Sequence, residues 1–139
     1  LDFFLRFLTK FLKKTMGMFV ISKRLNGDYK FIFASRKGKT IFTSIGCKHK
    51  SDCEQMIAAF KENVTLFALT QYKKGADKHF FRISKDGLVL ANSRKYSTAL
   101  MLAKGIDEIK KYAPTAEVLD FSENDAVFPE TESVMIGND

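Results

Sequence analysis

Residues 29–63, YKFIFASRKGKTIFTSIGCKHKSDCEQMIAAFKEN, return forty-nine places later as residues 78–112, KHFFRISKDGLVLANSRKYSTALMLAKGIDEIKKY. Laid over each other without a gap, Phe31 falls on Phe80, Ser35 on Ser84, Gly38 on Gly87, Ser44 on Ser93, Ile57 on Ile106 and Lys61 on Lys110. With one extra residue allowed in the second copy's first turn, Phe19 meets Phe67 and Gly27 meets Gly75. A repeat lets every position be compared with its counterpart. Chemistry needs a particular residue at one place, whereas packing needs only a shape class at both.

Each copy reads as three strands and a helix. In the first, Phe19 and Ile21 alternate with Val20 and Ser22, Asn26-Gly27 supplies a two-residue turn, and Tyr29, Phe31 and Phe33 alternate on the second strand. After Lys37-Gly38 the third strand sets Ile41, Thr43 and Ile45 on one face and Phe42 and Ser44 on the other. Ser51 and Glu54 have capping-box spacing, and Cys53, Met56, Ile57, Phe60 and Val64 then follow the period of a helix laid on a sheet. In the second copy Phe67 and Leu69 open the first strand, Phe80 to Ile83 is the second, Asp86-Gly87 is a hairpin turn and Leu88 to Ala91 is the third. Ser97 or Thr98 caps a helix whose buried stripe is Leu102, Ile106, Ile109 and Ala113, and Pro114 stops it. Residues 116–121 add a short strand that the first copy lacks.

A fifty-residue copy buries too little surface to be stable alone, so the two must share a core. The expected architecture is therefore α+β: two tandem β-β-β-α repeats, residues 16–65 and 66–122, packed as one pseudo-twofold-symmetric domain. Antiparallel sheets carry the helices on one face, and a short C-terminal strand is added. Residues 1–15 form a basic amphipathic extension, with Phe3, Phe4, Phe7, Leu8, Phe11 and Leu12 on one stripe. That pattern suits a membrane surface or a partner, and equally a segment outside the natural product. Residues 123–139 are acidic and aperiodic, as in a disordered tail. The net charge of +7 is thus uneven, with net +3 in residues 1–15, +9 in residues 16–122 and −5 in residues 123–139. A basic body attracts anions, and a lysine excess also keeps proteins soluble. Two cysteines give no disulfide framework, which makes a cytoplasmic protein the default.

The spacing Gly-x-x-(Ile/Leu)-x-x-Ser-x-x-(Tyr/Cys) occurs as Gly38, Ile41, Ser44, Cys47 and again as Gly87, Leu90, Ser93, Tyr96, followed by a helix carrying Gly105-Ile106. Over residues 18–121 this resembles the YegP-like family of small uncharacterised bacterial proteins, in which a unit of this size occurs singly, as a dimer or in tandem. The resemblance implies two sheet-and-helix units packed about a pseudo-twofold axis and no established activity. The chain departs from the pattern at Lys37 and Asp86, where asparagine is usual before the turn glycine, and at Cys47, where tyrosine is usual.

The repeat weighs against catalysis and metals. Cys47, His49 and Cys53 have zinc-type donors, but their counterparts are Tyr96, Thr98 and Leu102 and a fourth ligand is missing. Cys53 lies on the buried stripe, unsuited to a nucleophile, and His79 matches Lys30, which places both on an exposed polar face. Asp107 and Glu108 point apart on a helix, and no phosphate-binding glycine loop is present. No catalytic, cofactor or metal residue is expected. Ser44 and Ser93 recur, as residues that bond backbone at a strand end. The leading expectation is a non-enzymatic structural or protein-interaction module that presents an edge strand or a concave face to an unidentified protein partner or to itself. The alternative is weak nucleic-acid binding through basic, aromatic-containing strands, with Lys30, Lys37, Lys78 and Lys85 as the phosphate contacts.

Overall fold

The structure, a computed structural model, describes residues 17–35 and 37–123. The amphipathic reading of residues 1–15 and nearly all of the acidic tail lie outside these residues. The chain forms β1 (Gly17–Lys23), β2 (Tyr29–Ser35), β3 (Thr40–Ser44), α1 (Lys50–Glu62), β4 (Ala68–Lys73), β5 (His79–Lys85), β6 (Leu88–Ser93), α2 (Ala99–Tyr112) and β7 (Glu117–Asp120). Short 3-10 turns at Val64–Leu66 and Ala113–Thr115 follow the two helices. This is a mixed α+β fold.

The strands make one seven-stranded sheet in the order β4-β5-β6-β3-β2-β1-β7. Two antiparallel sheets were expected; a single sheet results because β3 and β6 pair antiparallel across its centre. Thr43 lies opposite Asn92, Phe42 opposite Ser93 and Ser44 opposite Ala91. Beyond that pairing, the backbone N–H of Ile45 donates to Leu90 O at 2.9 Å and that of Arg94 donates to Ile41 O at 2.9 Å. The sheet is mixed, since β7 runs parallel to β1 and places Phe19 beside Val118.

Alternation places Phe19, Ile21, Phe31 and Phe33 on the face that meets the helices. Phe42 stacks on Phe33 at 5.7 Å between ring centroids and meets Phe60 of α1 edge-on at 5.7 Å. Cys53, Ile57 and Phe60 of α1 and Leu102, Ile106 and Ile109 of α2 complete one continuous core with Phe81, Ile83 and Ala91. The third strand is bulged, so Ile41 and Phe42 are both buried, while Ile45 is exposed.

The gapless overlay does not survive in the hydrogen bonds. Ser44 Oγ accepts from the Phe31 N–H at 2.9 Å and donates to Ile45 O; Ser93 Oγ accepts from the N–H of Phe81, not Phe80, at 2.8 Å and donates to Arg94 O. Likewise Phe19 pairs with Phe33 where Leu69, not Phe67, pairs with Ile83. The offset is therefore fifty before the β2–β3 turn and forty-nine after it. The difference arises in the turns. Ser35 and Lys39 bracket a three-residue loop, with the Ser35 N–H donating to Lys39 O and the Gly38 N–H to Ser35 O, whereas Asp86 and Gly87 make a two-residue turn with both residues at positive φ.

Two local expectations also change. The β1–β2 connection is a three-residue loop, in which the Gly27 N–H donates to Arg24 O and only Gly27 has positive φ; Asn26 instead uses its Oδ1 to accept from the Asp28 N–H. Helix α1 begins at Lys50, so Ser51 lies inside its first turn and the N-cap is His49, which makes no side-chain cap bond. Thr98, the matching position of α2, does cap, accepting from the Met101 N–H at 3.1 Å. A short hydroxyl makes this bond where the imidazole does not.

The departure at Cys47 has a packing reason. Tyr96 lies against Gly105 of α2, where an added Cβ would collide with the tyrosine ring and hydroxyl. At the corresponding positions of the first half stand a small Cys47 and a large Met56, both packed against the core. Volume is exchanged between strand end and helix, which keeps the density of the interior.

Ser44 satisfies the buried Phe31 N–H across the bulge, so Ser44→Ala leaves that donor unpaired. We expect a loss of about 1–3 kcal/mol in urea unfolding, with a smaller loss for Ser93→Ala at its less buried site.

Candidate functional site

The four lysines proposed from sequence do not converge. Lys37 lies in the β2–β3 turn and Lys78 in the β4–β5 loop, at one end of the sheet; Lys85 closes β5 at the other end. Strands β2 and β5 are three positions apart, about 14 Å at the usual strand spacing. Lys30 is buried, at 8 % exposure, on the face opposite the helices, which corrects its reading as a solvated phosphate contact. With the offset of fifty, it corresponds to Phe80 and not to His79. Lys85 is half-buried, its ammonium 5.5 Å from the centre of the Phe67 ring.

The aromatics and cations that do meet stand on β4 and β5. Tyr72 and Phe80 are directly paired across the strands and stack with centroids 5.4 Å apart. The Arg82 guanidinium lies over both rings, 5.0 Å from Tyr72 and 5.6 Å from Phe80. Phe81 and Ile83 point into the core, so this stack faces away from the helices. The sequence pointed to basic, aromatic-containing strands; that Tyr72, Phe80 and Arg82 make one contact, on the strands nearest the edge, was not legible there.

Among the described residues that edge is open along β4. The Lys74 N–H donates to Lys78 O, so by alternation Lys74, Tyr72 and Thr70 point their backbone groups at β5. Leu69, Gln71 and Lys73 point theirs outward. At the far edge, the corresponding outward position Ile21 is covered: its carbonyl accepts from the Phe121 N–H at 2.8 Å as β7 runs alongside. The β7 strand is held in turn by Asp120. Burial pushes its carboxyl up, but the Ser122 hydroxyl and N–H and the Lys50 ammonium, 3.0 Å away, together hold it below the ordinary carboxylate value.

The thiols are placed as packing groups. Cys53 is fully buried, and burial pushes its pKa up to about 12; Cys47 is half-buried and also raised, by burial first. Neither thiol is the thiolate that nucleophilic chemistry requires. Among the described residues no three His, Cys, Asp or Glu side chains gather as a metal site.

The Cys53 shift sets a pH dependence. The folded thiol keeps its proton to about pH 12, while the unfolded thiol loses it near the ordinary value of 9.0, so the contribution is complete below pH 9 and is lost as pH rises above it. Urea unfolding between pH 9 and pH 12 should show stability falling more steeply in the native chain than in Cys53→Val, by up to ~1.4 kcal/mol per pH unit.

Comparison with known proteins places this arrangement. A family model described as a domain of unknown function, DUF1508, matches residues 75–120. The chain is 31% identical over 106 residues to a UPF0339 protein encoded in the 5′ region of the ptx operon of Stutzerimonas stutzeri, covering 75% of this chain and 96% of that one. It is 29% identical over 110 residues to a UPF0339 protein of Acinetobacter baylyi, covering 76% and 97%. The fold matches the solution structure of a UPF0339 protein from Shewanella oneidensis with a TM-score of 0.68 at 20% identity, covering 78% of this chain and 93% of that one. It also matches the E. coli protein of unknown function yegP with a TM-score of 0.67 at 22% identity, covering 78% and 95%. The chain belongs to the UPF0339 family of bacterial proteins of unknown function, the YegP-like family.

Proposed function

We propose that the chain is a non-catalytic interaction module, made of two β-β-β-α repeats related by a pseudo-twofold axis through Thr43 and Asn92, which takes an extended segment of a partner protein onto the open edge of β4. The repeat reading is supported by the reciprocal register at the centre of the sheet: Phe42 opposite Ser93 and Ser44 opposite Ala91 exchange under the offset of forty-nine. So do the bonds from Ile45 to Leu90 and from Arg94 to Ile41. The observation that carries the edge reading is the inequality of the two ends. Strand β7 covers β1, and the corresponding flank of β4 carries nothing among the described residues. A partner strand added as β7 is added to β1 would run parallel to β4, pairing with the outward groups of Leu69, Gln71 and Lys73. Lys73 and Lys74 on this edge discourage indiscriminate strand pairing and favour an acidic segment. The same reading locates the protein in the cytoplasm, where Cys47 and Cys53 stay reduced.

A second reading, weak nucleic-acid binding, is favoured by one observation: the exposed Arg82 guanidinium over the Tyr72–Phe80 pair, flanked by Lys73, Lys74 and Lys78. Bases stack on such surfaces without sequence preference.

One experiment separates the two. Gln71→Pro removes an outward N–H that no strand within the sheet uses, so the fold and its amide dispersion are expected to persist. The full chain and this variant are used as bait in a bacterial lysate at low and moderate salt, with mass spectrometry and nucleic-acid staining of the same eluate. A protein retained at both salts by the native chain and lost with Gln71→Pro supports the edge reading; equal retention by both overturns it. Nucleic acid alone, released by salt and by Tyr72→Ala, establishes the second reading.

A further inference from the structure

The central strands carry a groove of about 670 Å³, lined among the described residues by Lys39, Thr40, Thr43, Asn92, Arg94 and Lys95 and by the backbone at Ser44 and Ser93. Thr43 and Asn92 alternate with the buried Phe42 and Ala91, so the floor belongs to the sheet face away from the helices. It is a hydroxyl and amide floor. Around it stand three cations, from the start of β3 on one side and the end of β6 on the other, and the described lining contains no carboxylate.

The other end of the same strand pair shows that the fold does not require these cations. With the offset of forty-nine, Lys39 corresponds to Leu88, Thr40 to Val89, Arg94 to Ile45 and Lys95 to Gly46. Backbone bonds at the two ends correspond as well: the N–H of Arg94 meets Ile41 O and that of Ile45 meets Leu90 O, both at 2.9 Å. These two bonds are thus matched, with Leu88, Val89 and Ile45 exposed at one end and Lys39, Arg94 and Lys95 at the other. Three positive charges gathered in one concavity repel one another; the Arg94 guanidinium also lies 5.4 Å from the centre of the Tyr96 ring.

We propose that this groove binds a small phosphorylated ligand carrying at least two negative charges, held by Lys39, Arg94 and Lys95 with Thr43 and Asn92 bonding its remaining oxygens. Guanidinium and ammonium groups recognise phosphate oxygens, and neutral donors beside them fix orientation. The volume suits a small molecule and not a long polymer. This site is separate from the β4 edge and stands or falls independently of the edge reading, because Gln71→Pro leaves it intact.

The test titrates inorganic pyrophosphate into the isotope-labelled full chain at constant ionic strength and follows backbone amide signals. Saturable shifts confined to Lys39, Thr43, Asn92, Arg94 and Lys95 are expected. The variant Lys39→Leu/Arg94→Ile, which installs the residues of the opposite end, weakens binding by about tenfold or more. Lys39→Gln/Lys95→Gln, at two exposed positions, gives the same direction should the first variant fold poorly. Non-saturating shifts spread over lysines throughout the chain overturn the proposal, as does saturable binding that both variants retain. A single-stranded oligonucleotide that shifts these amides where pyrophosphate does not also overturns it.

Discussion

Everything in this molecule depends on the antiparallel contact between β3 and β6. On either side of that seam stand three strands, β4-β5-β6, and four, β3-β2-β1-β7, each side with its own row of phenylalanine or isoleucine side chains. With it, Phe42 lies opposite Ser93 and Ala91 opposite Ser44, and Phe19, Phe60, Ile83 and Ile109 belong to one core. The bulges beside the seam belong to the same constraint. They turn Ile41 and Leu90 toward the helices, and Ser44 and Ser93 supply the acceptors that the interrupted ladder leaves missing.

Joining the halves this way leaves their outer strands unequal. The chain passes from α1 through one 3-10 turn into β4 at one edge of the sheet, and from α2 through another into β7, back at the edge of β1. One flank is therefore closed by the chain itself, with the Lys50–Asp120 ion pair tying β7 to the start of α1, and the other stays open among the described residues. The face opposite the helices is unequal as well. Its β4–β5 side carries the Tyr72, Phe80 and Arg82 stack, and its centre carries the cation-lined groove. The positions that differ between the halves without altering the backbone are where a function can reside, since a residue that serves only the fold has a counterpart of the same shape.

Much of the fold was legible in the chain because period and turn chemistry act locally. The alternation of Phe19, Ile21, Phe31 and Phe33, the helical spacing from Cys53 to Phe60 and from Leu102 to Ile109, the Asp86-Gly87 hairpin and the Thr98 cap all stand in the structure as read. Errors arose where one residue more or less is invisible to a pattern of similar residues. Phe80 and Phe81 are neighbours, and either matches Phe31 by type; only the bond to Ser93 Oγ decides between them. That single step moved Lys30 from an exposed counterpart of His79 to a buried counterpart of Phe80, while strand order set the other lysines apart. The stack over Arg82 was legible as composition but not as geometry, because cross-strand register is a long-range property.

By itself the sequence determined the elements and their amphipathic faces, because side-chain period and turn glycines are written along the chain. Only the tertiary structure decided that the halves join through β3 and β6 into one sheet, that β7 covers β1 and leaves β4 open, and which cations stand together. Those outcomes rest on pairings between residues some fifty or more positions apart, where backbone hydrogen bonds and packing volume choose among registers that local preference leaves equal.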